Sequence, residues 1–211
     1  MRKETDSPTS HLRADFDSRK QAIRARLEEF RRVPREEYFY ELAYCLLTPQ
    51  SSAVNAGLAI HALRKAACFD RPGETALVLR RKAHYIRFHN TKARRLAEAW
   101  TQYPAVAAKL AEHRSAEEVR RWLVLNVKGI GSKEASHFLR NIGYRDLAIL
   151  DRHILKNLKK YGIIRSMPKT LTPKRYIAIE AKFKTFARQI GIAIDELDLL
   201  FWSSETGEIL K

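Results

Sequence analysis

The residues best able to do chemistry lie in one stretch, KGIGSKEASHFLRNIGYRDLAILDRH, which runs from Lys128 to His153. It holds a lysine, Lys133, two positions after the second glycine of a G-x-G turn. An aspartate, Asp151, follows eighteen residues later, after the short apolar run LAIL. A lysine amine can attack a sugar carbon and form a Schiff base, but only after it loses its proton. With an ordinary pKa, roughly one lysine in 2,500 is neutral at pH 7. Desolvation and nearby cations lower that pKa. Lys128, Arg140 and Arg152 are the candidate cations. An ionised Asp151 has the opposite effect on the lysine. The carboxylate therefore suits a proton acceptor that also stabilises a cationic sugar, as carboxylates do at glycosidic bonds. Each residue also has a plainer reading. Lys133 would serve as a phosphate contact, and aspartate is a favoured helix N-cap.

The glycines point to the substrate. Gly129 and Gly131 bracket Ile130, with Val127, Ala135 and Leu139 as apolar framing. Such a turn leaves backbone uncovered, and its amides lie beside the start of the next helix, where an anion is favoured. Forty Lys and Arg against 24 Asp and Glu leave a net charge of +16. A surplus of that size argues for a polyanion, most often nucleic acid. The pattern is that of a helix–hairpin–helix gripping the DNA backbone, with Lys128, Gly129, Gly131 and His153 as the expected phosphate contacts. The bland alternative is an ordinary tight turn on a basic surface.

Around this stretch the periodicity is helical almost throughout, so the class is all-α. Residues 1–15 read as a flexible tail. Phe16, Ile23, Leu27 and Phe30 mark one face of a first helix, and Pro34 opens a second. TPQSS breaks the chain near Pro49, and DRPGE reads as a turn. Asn90 or Thr91 is the expected cap of the helix NTKARRLAEAWTQY. Ser115 with Glu118 forms a capping box, and Gly143 closes the helix after the hairpin. Cys45 and Cys68, the only cysteines, sit in apolar context and read as buried free thiols. Two cysteines cannot hold a four-cysteine zinc or iron–sulfur site, and no histidine pair has a helical zinc spacing with a third ligand. No metal or cofactor is expected. No apolar run suits a membrane span or signal peptide, so an intracellular, cytoplasmic and nucleoid-associated setting follows.

LNVKGIGSKEASHFLRNIGYRDLAILDRHIL resembles the signature of the helix–hairpin–helix DNA glycosylases, and its lysine–aspartate spacing matches the bifunctional members. KEASHFLRN, DRHIL and the ending ELDLLFWSSETGEILK resemble the second type of 8-oxoguanine DNA glycosylase/AP lyase. The resemblance covers residues 30–211. It implies Lys133 as Schiff-base nucleophile and Asp151 as catalytic carboxylate. It also implies an endonuclease III-like fold without a cluster, with two helical lobes around a cleft. One lobe would span 36–145, the other 16–35 plus 146–211. The expected partner is double-stranded DNA containing 8-oxoguanine, bound by a monomer.

An enzyme acting on a base within a duplex must extrude it, fill the gap and stack the flipped base. By similarity Gln50 is the candidate wedge. Phe88 and Trp202 are candidates for the two faces of a base sandwich, with core packing as the alternative for each. Asp198 is a weaker candidate for a base contact. Lys211 is implied to help separate the lesion from guanine, through its charge or a terminal carboxylate. The rival functions are a glycosylase/lyase for oxidised pyrimidines and a non-catalytic DNA-binding module.

Overall fold

The computed structural model describes residues 8–112 and 114–209. Among them there are ten α-helices, two short 3₁₀ turns and no strand. The helices are α1 (Pro8–Arg31), α2 (Tyr38–Leu47), α3 (Ala53–Ala66), α4 (Pro72–Leu79), α5 (His89–Ala111), α6 (Ala116–Asn126), α7 (Ser132–Asn141), α8 (Arg152–Lys160), α9 (Pro173–Ile190) and α10 (Ile194–Thr206). The chain divides into two compact units. Val33–Ile142 forms one; the residues up to Arg32 and those from Gly143 onward form the other.

In the unit of α1 and α8–α10, one apolar stripe of α1 is buried: Leu12, Phe16, Ile23, Leu27 and Phe30. Leu12 extends the expected stripe by one turn. Positions 8–15 are therefore helix rather than tail, because an apolar residue at i−4 gives the helix something to bury there. The earlier part of that expected tail lies outside the described residues. Phe183, Phe201 and Tyr161 fill the centre with near-parallel rings, Tyr161 on Phe201 at 5.6 Å and Phe183 on Phe201 at 6.0 Å.

In the unit of α2–α7, α2 is the central helix, with eight of its ten residues buried. Three local expectations need correction. DRPGE is not a turn throughout: Pro72 sits at the first position of α4, where its missing N–H is not needed. The cap of α5 is Phe88, in a left-handed conformation, rather than Asn90 or Thr91. Helix α5 also continues through Pro104 to Ala111. An interior proline costs about 3 kcal/mol, but Leu96, Ala99 and Val106 are all buried on either side of it, and their burial holds the helix together. Ser115 and Glu118 do make the expected reciprocal capping box.

Gly143, just past α7, has φ +94°, and a Cβ there would lie 3.0 Å from the Cα of Arg31. Gly162 has φ +71° with open space around it. Gly143→Ala should therefore cost roughly 2 kcal/mol or more, and Gly162→Ala about 1 kcal/mol. Thermal melts of both variants should show Gly143→Ala as clearly the less stable.

Candidate active site

Lys133 belongs to the hairpin between α6 and α7. Val127 ends α6 in an extended conformation, and the first helical bond of α7 runs from the Ala135 N–H to the Gly131 carbonyl at 2.9 Å. Gly129 turns the chain with φ +90°, and a Cβ on it would meet Leu46 and Arg95 side-chain carbons at 3.3 Å. Conformation and close packing both require glycine there. Gly131 differs from expectation. Its φ is −99°, and its N–H donates to Glu134 Oε2 at 3.2 Å. That amide is therefore taken by an internal carboxylate and is not offered to a phosphate. The preceding amide, of Ile130, donates to the Val127 carbonyl at 3.4 Å.

The other oxygen of Glu134, Oε1, lies 3.0 Å from Lys133 Nζ, so one carboxylate both caps α7 and pairs with the lysine. Lys133 is partly exposed in this arrangement. Lys128 projects into solvent, with Nζ 3.8 Å from Glu98 Oε1. Of the cations proposed to surround Lys133, Arg140 is buried with its guanidinium directed to Asn141, and Arg152 belongs to the other unit. Lys133 is instead one of the charges that act on Lys92, on α5.

Lys92 is 7% exposed. Its ammonium donates to the Leu47 carbonyl at 2.6 Å, the Pro49 carbonyl at 2.7 Å and Ser51 Oγ at 3.1 Å. All three acceptors are neutral. Burial, then Lys133, then Arg87, lower its pKa to about 8. These bonds brace the loop that presents Gln50, which is exposed and has φ +56°. Ser51 Oγ also accepts the Arg87 N–H at 3.1 Å. Next in the chain, Phe88 is 54% exposed, with the Arg87 guanidinium 5.4 Å from its ring centroid. Gln50 and Phe88 thus stand on segments tied to one serine and one lysine.

Asp151 belongs to the other unit. Its Oδ1 accepts the Ile154 N–H at 2.8 Å, so it is the N-cap of α8. The run Leu147–Leu150 that delivers it is buried and extended, with neither helix nor sheet to satisfy its backbone. Two α9 side chains do this. Glu180 accepts the Ala148 N–H at 2.8 Å, while the Tyr176 hydroxyl donates to the Ala148 carbonyl at 2.6 Å and accepts the Leu150 N–H at 3.3 Å. Trp202 is partly buried, its ring centroid 6.4 Å from that of His153, and His153 Nδ1 lies 3.4 Å from Glu205 Oε2. Asp198, one turn before Trp202, is buried. Lys211 lies outside the described residues.

Four participants escaped the sequence reading: Lys92, Glu134, Tyr176 and Glu180. The last two had a signal, since they sit four apart on the apolar face of α9. Glu134 had one in its place, three residues after the cap. Lys92 had none. Among the described residues no group of three or more His, Cys, Asp or Glu could hold a metal, and no helix is long and apolar enough to cross a membrane.

A basic, all-helical chain whose glycine hairpin leads a lysine into a helix start has the architecture of the helix–hairpin–helix DNA glycosylases. The family model described as 8-oxoguanine DNA glycosylase matches residues 23–192, and the chain belongs to that family. It is 39% identical to the 8-oxoguanine DNA glycosylase/AP lyase of Fusobacterium nucleatum, over 90% of this chain and 91% of that one. It is 40% identical to the protein of the same name from Korarchaeum cryptofilum, over 91% of each chain. The structure of the Methanocaldococcus jannaschii 8-oxoguanine glycosylase/lyase in complex with a 15mer DNA containing 8-oxoguanine matches with TM-score 0.84 and 32% identity, covering 95% of this chain and 100% of that one.

The double role of Glu134 can be separated. Glu134→Gln keeps an oxygen for the Gly131 amide, whereas Glu134→Ala removes it. Denaturant unfolding should show a loss of about 1 kcal/mol for Glu134→Ala and a clearly smaller loss for Glu134→Gln.

Proposed function

We propose that the protein is a bifunctional DNA repair enzyme that excises 8-oxoguanine from duplex DNA and then cleaves the strand by β-elimination. The observation that carries this is the family match, which spans both Lys133 and Asp151. The names of the relatives and the DNA-bound neighbour support the same substrate.

In this reading the neutral amine of Lys133 attacks C1′ of the damaged nucleotide. The N–C1′ bond forms as the glycosidic bond breaks, and the base leaves. Asp151 stabilises the positive charge on the sugar and takes up the proton the amine sheds. The sugar ring opens to a Schiff base on Lys133. Loss of a C2′ proton then expels the 3′ phosphate, with the iminium as electron sink. Hydrolysis frees the lysine. No redox partner is needed.

Recognition falls to residues around these two. Gln50, at the tip of a braced loop, is the wedge that fills the space of the extruded base. Phe88 and Trp202 stack the base: an exposed aromatic on a left-handed turn, as Phe88 is, has little to do for the core, and Trp202 is partly buried beside His153. Asp198 and Lys211 complete the list of base contacts. Lys128, Gly129 and His153 are the backbone contacts, with Gly131 reduced to shaping the turn.

The deciding experiment mixes protein with an 8-oxoguanine duplex and borohydride, which reduces a Schiff base to a permanent link. Wild type should give a covalent complex, and Lys133→Gln should give none while still binding DNA. Trapping mainly on a dihydrothymine duplex would instead mark a pyrimidine-lesion enzyme. DNA binding without trapping on either duplex would mark a binding module. Asp151→Asn tests the carboxylate separately. Asparagine is as good an N-cap as aspartate, so stability should stay within about 0.5 kcal/mol while base excision falls by at least a hundredfold, the lower end for a lost acid–base group.

A further inference from the structure

We propose that Lys92 and Ser51 are positioning residues for base extrusion: a clamp that holds the turn carrying Gln50 and the segment carrying Phe88 as one piece. The inference rests on the reading of Gln50 as the wedge and Phe88 as one face of the base stack. It adds that neither side chain is set by its own segment, and that one buried lysine sets both.

Gln50 and Phe88 share an uncommon backbone. Gln50 is the third residue of a turn from Thr48 to Ser51, closed by the Ser51 N–H donating to the Thr48 carbonyl at 3.0 Å. Pro49 is the second residue, and φ at Gln50 is +56°. A turn of that kind ordinarily takes glycine at its third position. Phe88 has φ +58° at the start of α5. A side chain strains the left-handed conformation, and such strain persists only where the surroundings impose it. Both side chains are exposed, so packing in the core does not impose it.

Lys92 reaches both segments. Its ammonium donates to the Leu47 and Pro49 carbonyls before Gln50, at 2.6 and 2.7 Å, and to Ser51 Oγ after it, at 3.1 Å. Three acceptors match its three protons. Its backbone N–H donates to the Phe88 carbonyl at 2.9 Å. Ser51 Oγ also accepts the Arg87 N–H at 3.1 Å, and Asn55 Nδ2 donates to the Tyr85 carbonyl at 3.2 Å. The chain on either side of Gln50 and the chain leading into Phe88 therefore share one network.

A plainer task for Lys92 is to cap the last carbonyl of α2. The bond to Leu47 alone would do that. The bonds to Pro49 and Ser51 lie beyond the helix, and an ammonium is costly to bury without a carboxylate beside it. A clamp accounts for them. A base that leaves the duplex must have its gap filled while its own face is stacked, so the two side chains that do this need a fixed separation.

The test has two parts, both on the full chain. In DNA-free protein, hydrogen–deuterium exchange reads the amides of residues 47–52 and 85–90. Lys92→Met should speed exchange in both stretches together, by about tenfold or more, the effect of losing hydrogen bonds from a charged donor. Residues 173–190 of the other unit should stay as in wild type. Ser51→Ala is the milder variant and guards against a folding failure of Lys92→Met. It should speed exchange in 85–90 by about threefold, since the Arg87 amide loses its acceptor. Faster exchange in 47–52 alone would reduce Lys92 to a helix cap and overturn the proposal, as would no change in either variant. The second part places 2-aminopurine beside 8-oxoguanine in a duplex, where its fluorescence rises as the neighbouring base leaves the stack. Lys133→Gln, which cannot complete the chemistry, should give the rise. Lys133→Gln with Lys92→Met should give a rise about threefold smaller at saturating protein. A full rise in that double variant would overturn the proposal. No rise with either protein would instead reject the excision reading of the site, and the exchange result, which needs no DNA, still decides the clamp.

Discussion

An amine attacks carbon only after it has given up a proton, and a protein that must bind DNA is bound to be full of protonated amines. The two demands are compatible here because one charge distribution serves both. A net +16 draws the polyanion in and also makes every further positive charge costly. Against that background Lys133 carries one close carboxylate, Glu134, whose first duty is to cap the Gly131 amide. The cap fixes the start of α7 and so fixes where the amine emerges. The ion pair comes with the cap, so one carboxylate sets both the start of α7 and the surroundings of the amine.

Asp151 faces a different constraint. Its carboxylate is tied at Oδ1 to the Ile154 amide, which sets its orientation. The chain that carries it there is an extended apolar run in an all-helical unit, with no neighbouring strand to accept its hydrogen bonds. Unpaired buried amides and carbonyls each cost on the order of 1–3 kcal/mol, so the run is viable only because Tyr176 and Glu180 reach in from α9. Two polar residues on α9 thereby decide where the carboxylate stands. Their loss would affect the chemistry through geometry.

Much of this was legible in the residue order. The helix content, the Ser115 cap, the glycine turn and the lysine–aspartate spacing are local patterns, each involving residues close in sequence. The failures are equally physical. Pro104 reads as a helix end, but burial of Val106 beyond it carries α5 onward. Phe88 caps a helix without any capping side chain, because its left-handed backbone does the turning. Lys92 reads as one of 40 basic residues. What distinguishes it is a set of two carbonyls and a hydroxyl 41 to 45 positions earlier in the chain, and no periodicity encodes a contact of that kind.

The placement of Lys92 also bears on how firmly the loop that carries Gln50 is held. Its three acceptors span Leu47 to Ser51, on both sides of Gln50. A load on an exposed loop tip pushes back on the loop, and a loop held only by side-chain packing would yield. Three hydrogen bonds from a buried ammonium resist that load, because displacing the loop would strand a cation in a low-dielectric site.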